Sequence, residues 1–390
     1  MHKRNFIRTL AATTLAVGLG TAWAQDNSFK IGLLLPLTGP FASTGKQMEA
    51  AARLYMAQNG DTVAGKKVQL IVKDDTGVPD ISKRLAQELV VNDKVQVLAG
   101  FGLTPLAVTA APIATQSKTP MVVMAAATSS ITEASPYIVR TSFTVPQVVT
   151  ILADWASKND IHKVVTLVSD YAPGVDSEAY FSQRFVAQGG QVMESLRVPL
   201  RSPDFAPFLQ KVRDAKPDAL FTFVPAGVGL ALMKQFSERG MDKAGIRVIA
   251  EGSVTDDDIL GSMGDVALGV VTAHHYSAAH NSALNKRFVE AFGKANAGMR
   301  PNFMAVGAYD GMRVIYEAAK ATQGAGKDAL LQAMKGQSFE SPRGPVSIDP
   351  QTRDVVHNIY VRKVEKMGGQ LWNTEIQTFT AVKDPAKAGK

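Results

Sequence analysis

Strand-like and helix-like segments alternate along almost the whole of this 390-residue chain, and this alternation restricts the fold more than any other feature. One series of apolar strands and amphipathic helices runs over about 29–140, and a second runs over about 146–270. Alternation of this kind is typical of parallel sheets with helices on both faces. Because the chain is too long for one ordinary core, the sequence predicts an α/β protein with two domains.

The pattern changes after about residue 272. Long helices are predicted at 281–294 and 303–321, and the segments 346–348, 355–365 and 374–380 read as antiparallel strands with period two. The final residues, PAKAGK, are expected to fray.

The segment 95–133 contains the same event twice: an apolar run gives way to small residues, and a hydroxyl residue then opens a helix. In the first event Thr104 stands at a predicted N-cap and Pro105 follows at the first helical position. In the second, Ser130 and Glu133 have the spacing of a capping box. Free N–H groups at a helix N-terminus favour an anion, and ligands of open α/β sheets bind beyond the carboxyl ends of strands. The segment therefore predicts a site for a small carboxylate.

Residues 1–24 have the features of a cleavable signal peptide. Three basic residues precede an apolar segment at 10–20, and Ala22-Trp23-Ala24 offers a small-x-small cleavage site. The chain has no cysteine, which excludes disulfides, thiolate metal sites and a lipid anchor on a cysteine. No later apolar run reaches the roughly 18 residues needed to span a membrane. We therefore expect an exported, soluble, periplasmic protein without a lipid anchor.

Charge and motifs exclude several other classes. The formal charge is +7, and removal of the three basic leader residues leaves 7 − 3 = +4, with no basic stretch that would indicate nucleic-acid binding. His274 and His275 are adjacent on an extended segment and should point to opposite sides, so no metal site is predicted. A G-x-S-x-G elbow is absent, and no catalytic residue or cofactor is predicted.

Several motifs resemble those of the branched-chain amino-acid-binding proteins of ABC transporters, which have the type I periplasmic binding protein fold. The motifs occur in the family's order over almost the whole mature chain, and they are KIGLLLPLTGPFASTGKQMEAAARL, LIVKDDTGVPDISKRLAQELV, VLAGFGLT, MVVMAAATSS, LVSDYAPGVDSEAYF, VIAEGSV and GAYDGMRVI. The resemblance implies two Rossmann-like lobes joined by three crossovers. The N-terminal lobe would comprise 28–142 and 274–344, and the C-terminal lobe 143–273 and 345–390, with hinges near 141–147, 272–277 and 345–348.

The resemblance also implies roles for particular residues. Thr104 falls where the family places a hydroxyl on the ligand carboxylate. Ala126 and Thr128 fall where backbone groups and a hydroxyl hold the α-amino and carboxylate groups. Glu251 matches the acid that pairs with the α-ammonium group. Each has a simpler alternative, since Thr104 could merely cap a helix and Glu251 could be an exposed loop acid.

The chain departs from the family at positions that shape the pocket. The first loop offers Ser43 and Thr44 where an aromatic residue is common, and the C-terminal lobe has small residues at 172–173 and 225–227. Smaller walls would enlarge the pocket and suit an aromatic or phenylpropanoid acid better than leucine. Aromatic faces pair well with a flat ligand. The residues expected to flank a ring are Tyr171, Phe101 and Tyr276, with Ser43 as a further contact. The alternatives are that Tyr171 and Tyr276 pack the lobes and that Phe101 belongs to the core.

The resemblance predicts a monomeric solute receptor that closes around a small carboxylate and delivers it to an inner-membrane ABC permease. The ligand would be an aromatic or phenylpropanoid acid, or a branched-chain or aromatic amino acid. One alternative is a sensory module of the same fold that reports ligand occupancy to a signalling partner. The other is an exported α/β hydrolase.

Overall fold

The computed structural model describes residues 27–201 and 203–389, and within these ranges the strands form two sheets. The predicted signal peptide, residues 1–24, lies outside the described residues. In the described part of the chain, no helix is long and apolar enough to cross a membrane.

The first sheet has six strands in the described residues, in the order β2-β3-β1-β4-β5-β6. Its strands are β1 Ser28–Leu35, β2 Thr62–Val63, β3 Lys66–Asp74, β4 Val97–Gly100, β5 Met121–Val123 and β6 Ile138–Arg140. All neighbouring pairs are parallel except β2 and β3. Strand β4, Val97–Gly100, is buried along its whole length because helices cover both faces of the sheet. Strands buried on both faces are typical of parallel sheets.

The second sheet has nine strands in the described residues, in the order β12-β13-β14-β11-β10-β9-β7-β8, and β15 pairs with β14. Its strands are β7 Lys163–Ser169, β8 Gln191–Val198, β9 Ala219–Phe223, β10 Arg247–Glu251, β11 Val271–His274, β12 Ser338–Ser341, β13 Gly344–Ile348, β14 Val355–Met367 and β15 Gln370–Val382. Strands β7 to β11 are parallel and the last four are antiparallel, as the two sequence periodicities predict. The predicted α/β class with parallel sheets flanked by helices is confirmed.

The helices are distributed between the two sheets. Their bounds are α1 Ala42–Asn59, α2 Pro79–Val91, α3 Thr104–Ser117, α4 Val145–Ser157, α5 Ala172–Ala187, α6 Ala206–Ala215, α7 Gly229–Glu238, α8 Leu260–Met263, α9 Ala283–Ala295, α10 Phe303–Ala321 and α11 Lys327–Met334. After β11 the chain returns to the first sheet, where the ring of Tyr55 on α1 meets Tyr309 and Tyr316 of α10 at 5.0 and 5.2 Å. We call the first sheet with α1–α3 and α9–α11 the N-lobe, and the second sheet with α4–α8 the C-lobe.

Arg343 joins several of the segments that pass between the lobes. It lies in the turn between β12 and β13, is fully buried, and donates to the carbonyl oxygens of Thr141 at 2.6 Å and Ser142 at 2.9 Å. The same guanidinium pairs with Asp310 of α10 at 2.8 Å and contacts Nδ1 of His275 at 2.8 Å. One buried cation therefore fixes the segments after β6 and β11 relative to α10.

Three details of the sequence-based prediction are wrong. Thr104 is the first residue of α3 and Leu103 takes the N-cap position. Ser129–Glu133 is a short 3-10 helix without a side-chain cap, so the predicted capping box does not form. The tail does not fray at Pro385–Lys387, which forms a 3-10 turn with Lys387 only 6% exposed. In each case the sequence motif is present, but the packing of the surrounding chain decided the conformation.

Candidate functional site

The turns that follow β4 and β5 lie side by side because these strands are parallel neighbours, with Gly100 in register with Val123. Gly100 has a φ of +105°, and a Cβ there would lie 2.3 Å from the carbonyl oxygen of Leu34. Only glycine allows β4 to end so close to β1. The chain then turns sharply at Phe101, with φ at +67°, and enters α3 three residues further on.

The first turn offers backbone donors to a ligand. None of the protein hydrogen bonds in the described residues uses the amide groups of Gly102, Leu103 or Thr104 as donors. These amides lie at the start of α3, where the helix dipole adds partial positive charge. Unpaired amides at a helix start are the groups that bind a carboxylate.

Two hydroxyl groups connect the turns. The hydroxyl of Thr104 donates to that of Thr128 at 3.1 Å, and both side chains are buried. In the second turn the amide of Ala126 is already used, because it donates to the carbonyl oxygen of Phe101 at 3.1 Å, and the Ala126 carbonyl accepts from Ser142 at 3.1 Å. Ala126 therefore has only its methyl group and the second lone pair of its carbonyl oxygen to offer a ligand.

A cavity lies between the lobes at these turns. Its N-lobe wall consists of small and hydroxyl-bearing residues, namely Thr44, Gly102, Leu103, Thr104, Ala125, Ala126 and Ala127. Its C-lobe wall consists of Tyr171, Pro173, Phe223, Pro225, Ala226 and Ser253, and the side nearest the crossovers consists of Phe143, Phe303 and Met304. None of these lining residues carries a charge.

Aromatic rings stand on two sides of the cavity. Tyr171 and Phe223 form one pair with ring centroids 6.0 Å apart, and Phe143 and Phe303 form an edge-to-face pair at 5.8 Å. Burial raises the pKa of the Tyr171 hydroxyl, so this group stays neutral at physiological pH. A flat apolar ligand would contact ring faces and edges between these two pairs.

The predicted site residues are not all at the cavity. Thr104, Ala126 and Tyr171 line it, and Thr128 lies behind Thr104. Phe101 is fully buried in the N-lobe core, and Tyr276 is buried with its hydroxyl bonded to Asn285 at 3.0 Å. Ser43 instead donates to Asp258 of the C-lobe and thereby bridges the two lobes.

Glu251 lies outside the lining of the cavity and is fully buried at the end of β10. One carboxylate oxygen accepts from the amide of Ser253 at 3.0 Å, and the other lies 3.4 Å from Nε2 of His274. Burial raises the pKa of Glu251 to about 7, although Arg362 and the Ser253 bonds act in the opposite direction. Burial also lowers the pKa of His274, so this contact is not a pair of full charges near neutral pH. Glu251 is therefore a weak partner for an ammonium group.

In the described ranges, 27–201 and 203–389, no cluster of three or more His, Asp or Glu side chains is arranged to hold a metal ion. The expectation that His274 and His275 point to opposite sides is wrong, because their rings meet edge to face at 4.5 Å. Arg343 contacts Nδ1 of His275. These histidines contribute to the packing around the crossovers.

Sequence reasoning missed several residues of the cavity. Phe143 precedes α4, Phe303 is the first residue of α10, Phe223 ends β9, and Ser253 follows Glu251 by two residues. The position of Phe223 at the carboxyl end of a parallel strand was a usable signal. Phe143 and Phe303 gave no such signal, because Phe143 lies in a connection and Phe303 opens a helix, and the place of both depends on how the lobes pack.

Two lobes with a cavity between them are the architecture of a solute-binding receptor. The family model of the periplasmic binding proteins matches residues 28–370, and the chain belongs to this family. Membership places the protein in the periplasm and in the class of solute-binding proteins of ABC transporters.

One relative and two solved structures illustrate the similarity. The chain is 44% identical over 386 residues to Leu/Ile/Val-binding protein homolog 6 of Brucella melitensis, covering 97% of this chain and 99% of the relative. It is 63% identical to a solute-binding protein of an ABC transporter from Rhodopseudomonas palustris BisB5, solved with 3,4-dihydroxybenzoic acid, with a TM-score of 0.91 and coverage of 93% and 99%. A counterpart from Rhodopseudomonas palustris HaA2, solved with p-hydroxybenzoic acid, is 41% identical with a TM-score of 0.90 and coverage of 93% and 100%.

Proposed function

We propose that the protein binds a hydroxylated benzoate or a related aromatic acid for import, in preference to a branched-chain amino acid. One observation carries the proposal: the cavity offers donors and aromatic rings, yet no charged side chain lines it. An amino acid would bury an ammonium group, and a buried charge without an anionic partner costs several kcal/mol. An aromatic acid has no ammonium group to neutralise.

The orientation of the ligand follows from the distribution of polar groups. The carboxylate would accept from the hydroxyl of Thr104 and from the amides of the first turn. A hydroxyl has one proton, so Thr104 would turn its proton from Thr128 to the ligand and accept one from Thr128 in return. The ring would lie between Tyr171 with Phe223 and Phe143 with Phe303. A ring hydroxyl would reach the C-lobe wall, where Ser253 is the hydroxyl-bearing residue besides Tyr171.

The similar proteins support this assignment. Two solute-binding proteins that are 63% and 41% identical to this chain were solved with 3,4-dihydroxybenzoic acid and p-hydroxybenzoic acid. The relative from Brucella melitensis carries a Leu/Ile/Val-binding name, which is the amino-acid alternative. The uncharged cavity favours the aromatic acid.

Capture would proceed by closure of the lobes at the crossovers. The proposed lobes are 28–142 with 274–344 and 143–273 with 345–390, and the ligand would bind the N-lobe turns first. Strand β12, Ser338–Ser341, pairs with β13 in the second sheet, so the last boundary lies before β12 rather than at 344. Hydrogen bonds from Ser43 to Asp258 and from Asn302 to Asp256 join the two lobes, and we take this arrangement as the closed form. We further propose that the protein is exported by its 1–24 leader, acts as a monomer without a lipid anchor, and delivers its ligand to an inner-membrane ABC permease.

Thermal-shift measurement on unfolded and refolded protein, which is free of carried-over ligand, tests the proposal. The panel comprises 4-hydroxybenzoate, 3,4-dihydroxybenzoate, leucine, isoleucine and valine at equal concentrations. A ligand at about 100 times its Kd stabilises the folded state by about 2.7 kcal/mol and raises the melting temperature. We expect the hydroxybenzoates alone to raise it. A shift with leucine, isoleucine or valine and none with the hydroxybenzoates would reject the aromatic-acid assignment.

A further inference from the structure

The turn that carries Thr128 is held from behind by a buried cluster of four charged residues, which we call the tail cluster: Arg140, Asp354, Asp384 and Lys387. Their exposed fractions are 0%, 2%, 6% and 6%. Two of them, Asp384 and Lys387, belong to the last residues of the chain, more than 250 positions from the turn. Two cations and two anions balance each other within the cluster, and Asp176 of α5 lies close to Arg140 and Asp384 as well. Pairing of this kind offsets part of the cost of burying the charges.

Arg140 makes the direct contact with the ligand turn. Its guanidinium donates to the carbonyl oxygens of Thr128 at 2.8 Å and Ser129 at 3.1 Å. A second nitrogen donates to the carbonyl oxygen of Phe143 at 3.0 Å, and Phe143 lines the cavity. One buried side chain thus fixes both the hydroxyl-bearing turn and an aromatic wall of the site.

The tail fixes Arg140 in turn. Asp354 pairs with Nε of Arg140 at 2.9 Å and with Nζ of Lys387 at 2.5 Å, so it connects the two cations. Lys387 also donates to the hydroxyl of Thr132 at 2.6 Å. The neighbouring carboxylate of Asp384 accepts from the hydroxyl of Ser129 at 2.5 Å. The tail therefore contacts the segment 128–132 at two side chains and through Arg140.

The turn needs such support because regular secondary structure does not supply it. The 3-10 helix Ser129–Glu133 has no side-chain cap, and β5 ends at Val123. Between these elements the carbonyl oxygen of Ala127 accepts from the amide of Val145 at 2.9 Å, and those of Ala126 and Thr128 accept from the side chains of Ser142 and Arg140. With the carbonyl oxygens held on the buried side, the turn keeps a fixed position from which Thr128 bonds to Thr104.

We propose that Lys387, acting through Asp354 and Arg140, is a positioning residue for ligand binding, so that the C-terminal tail is part of the binding machinery. The proposal rests on the assignment of the Thr104 and Thr128 turns as the carboxylate site. Lys387 touches no ligand, and its effect comes from the conformation of the segment 128–132.

The test compares Lys387→Met with the matched control Lys383→Met. Lys383 lies in the same tail, but its side chain is 72% exposed and pairs with Asp349 at the surface. Affinity for 4-hydroxybenzoate is measured by calorimetry well below the melting temperature, and amide hydrogen exchange is followed in a peptide covering 124–134. We expect Lys387→Met to weaken binding roughly two- to thirtyfold, the range typical of indirect coupling. Exchange in that peptide should rise, and Lys383→Met should change neither quantity.

Two further variants keep the result interpretable. Lys387→Arg retains the charge and the donors, and should restore most of the affinity. Ser129→Ala removes the contact with Asp384 by deleting one hydroxyl group, so it serves if Lys387→Met does not fold; it should also raise exchange at 124–134.

If the wild-type protein binds 4-hydroxybenzoate and Lys387→Met binds it with the same affinity, the positioning role is overturned. Weaker binding with exchange raised equally throughout the protein would also overturn it, because that result indicates general destabilisation. Failure of the wild-type protein to bind any acid of the panel would instead reject the proposed function. Exchange of the ligand-free variants would then still show whether the tail fixes the turn.

Discussion

The hydroxyl of Thr104 donates to the hydroxyl of Thr128 at 3.1 Å, and this bond joins the turns that follow two neighbouring strands of the N-lobe. Thr104 opens α3, whereas Thr128 precedes a short 3-10 helix. The bond places an oriented hydroxyl beside the unpaired amides of the first turn. A carboxylate bound there would meet donors already held in place, which reduces the entropic cost of binding.

Replacement of Thr104 by valine removes the hydroxyl while keeping the side-chain shape. We expect Thr104→Val to weaken binding of 4-hydroxybenzoate by about 1–3 kcal/mol, because a buried carboxylate loses one donor. The ligand-free protein should melt within a few degrees of the wild type. Thr109→Val on the same helix is the control, since the Thr109 hydroxyl bonds only to the carbonyl oxygen of Pro105. Equal affinities for the two variants, measured by calorimetry, would remove Thr104 from the site.

The small residues of the C-lobe wall should determine how large a ligand fits. Ala226→Leu adds three carbon atoms to the wall of the cavity. We expect binding of 3,4-dihydroxybenzoate to fall at least tenfold, a size typical of steric exclusion in an apolar pocket. Ala231→Leu, at an exposed position of α7, should bind normally. If Ala226→Leu bound the acid as the wild type does, the ring would lie elsewhere.

Glu251 predicts a specific dependence of stability on pH. Its pKa rises from 4.5 in the unfolded chain to about 7 in the folded protein because the carboxyl group is buried. Between these values the folded state retains a proton that the unfolded state has lost, so stability falls as the pH rises from 4.5 to 7. Glu251→Gln has no carboxyl group to ionise, so this loss of stability with rising pH should be absent from the variant.

The measurement for Glu251 is the free energy of unfolding by urea at pH 4.5 and pH 8. We expect the glutamine variant to gain stability relative to the wild type between the two pH values, and to retain 4-hydroxybenzoate binding. If the stability of the wild type and of the glutamine variant changed with pH in the same way, Glu251 would be charged in the folded protein. It would then again be a candidate partner for an ammonium group.

Arg343 predicts a large effect on stability. Arg343→Met leaves Asp310 buried without its cation and removes donors from Thr141 and Ser142. Breaking a buried ion pair from one side costs about 3–5 kcal/mol. The control Arg313→Met, on α10, removes a contact with the ring of Phe339 at 4.7 Å and should cost about 1 kcal/mol or less. Similar urea midpoints for the two variants would contradict this account of the crossovers.

Much of the architecture could be predicted from local periodicity. The buried runs of β1, β4, β7 and β9 have the composition of parallel strands, and the period-two pattern near the end of the chain gave the antiparallel pair β14 and β15. The position of Thr104 followed from the order strand, small residues, helix. These features are determined by residues that are close together in the sequence, so one sequence is enough to predict them.

The remaining features depend on tertiary packing. Phe143 and Phe303 face one cavity although they are 160 positions apart, and Arg140 meets Lys387 only through Asp354. Tyr276 and Phe101 have the residue type of a ring wall, yet both are used in the core. Aromatic residues serve both purposes, and local sequence does not separate them.

The most direct test of the central claim is calorimetric titration of refolded, ligand-free protein with 4-hydroxybenzoate and with leucine. The uncharged cavity predicts that 4-hydroxybenzoate binds one molecule per chain and that leucine produces no binding heat and does not displace it. Saturable binding of leucine at one site per chain, together with no binding of 4-hydroxybenzoate, would contradict the account.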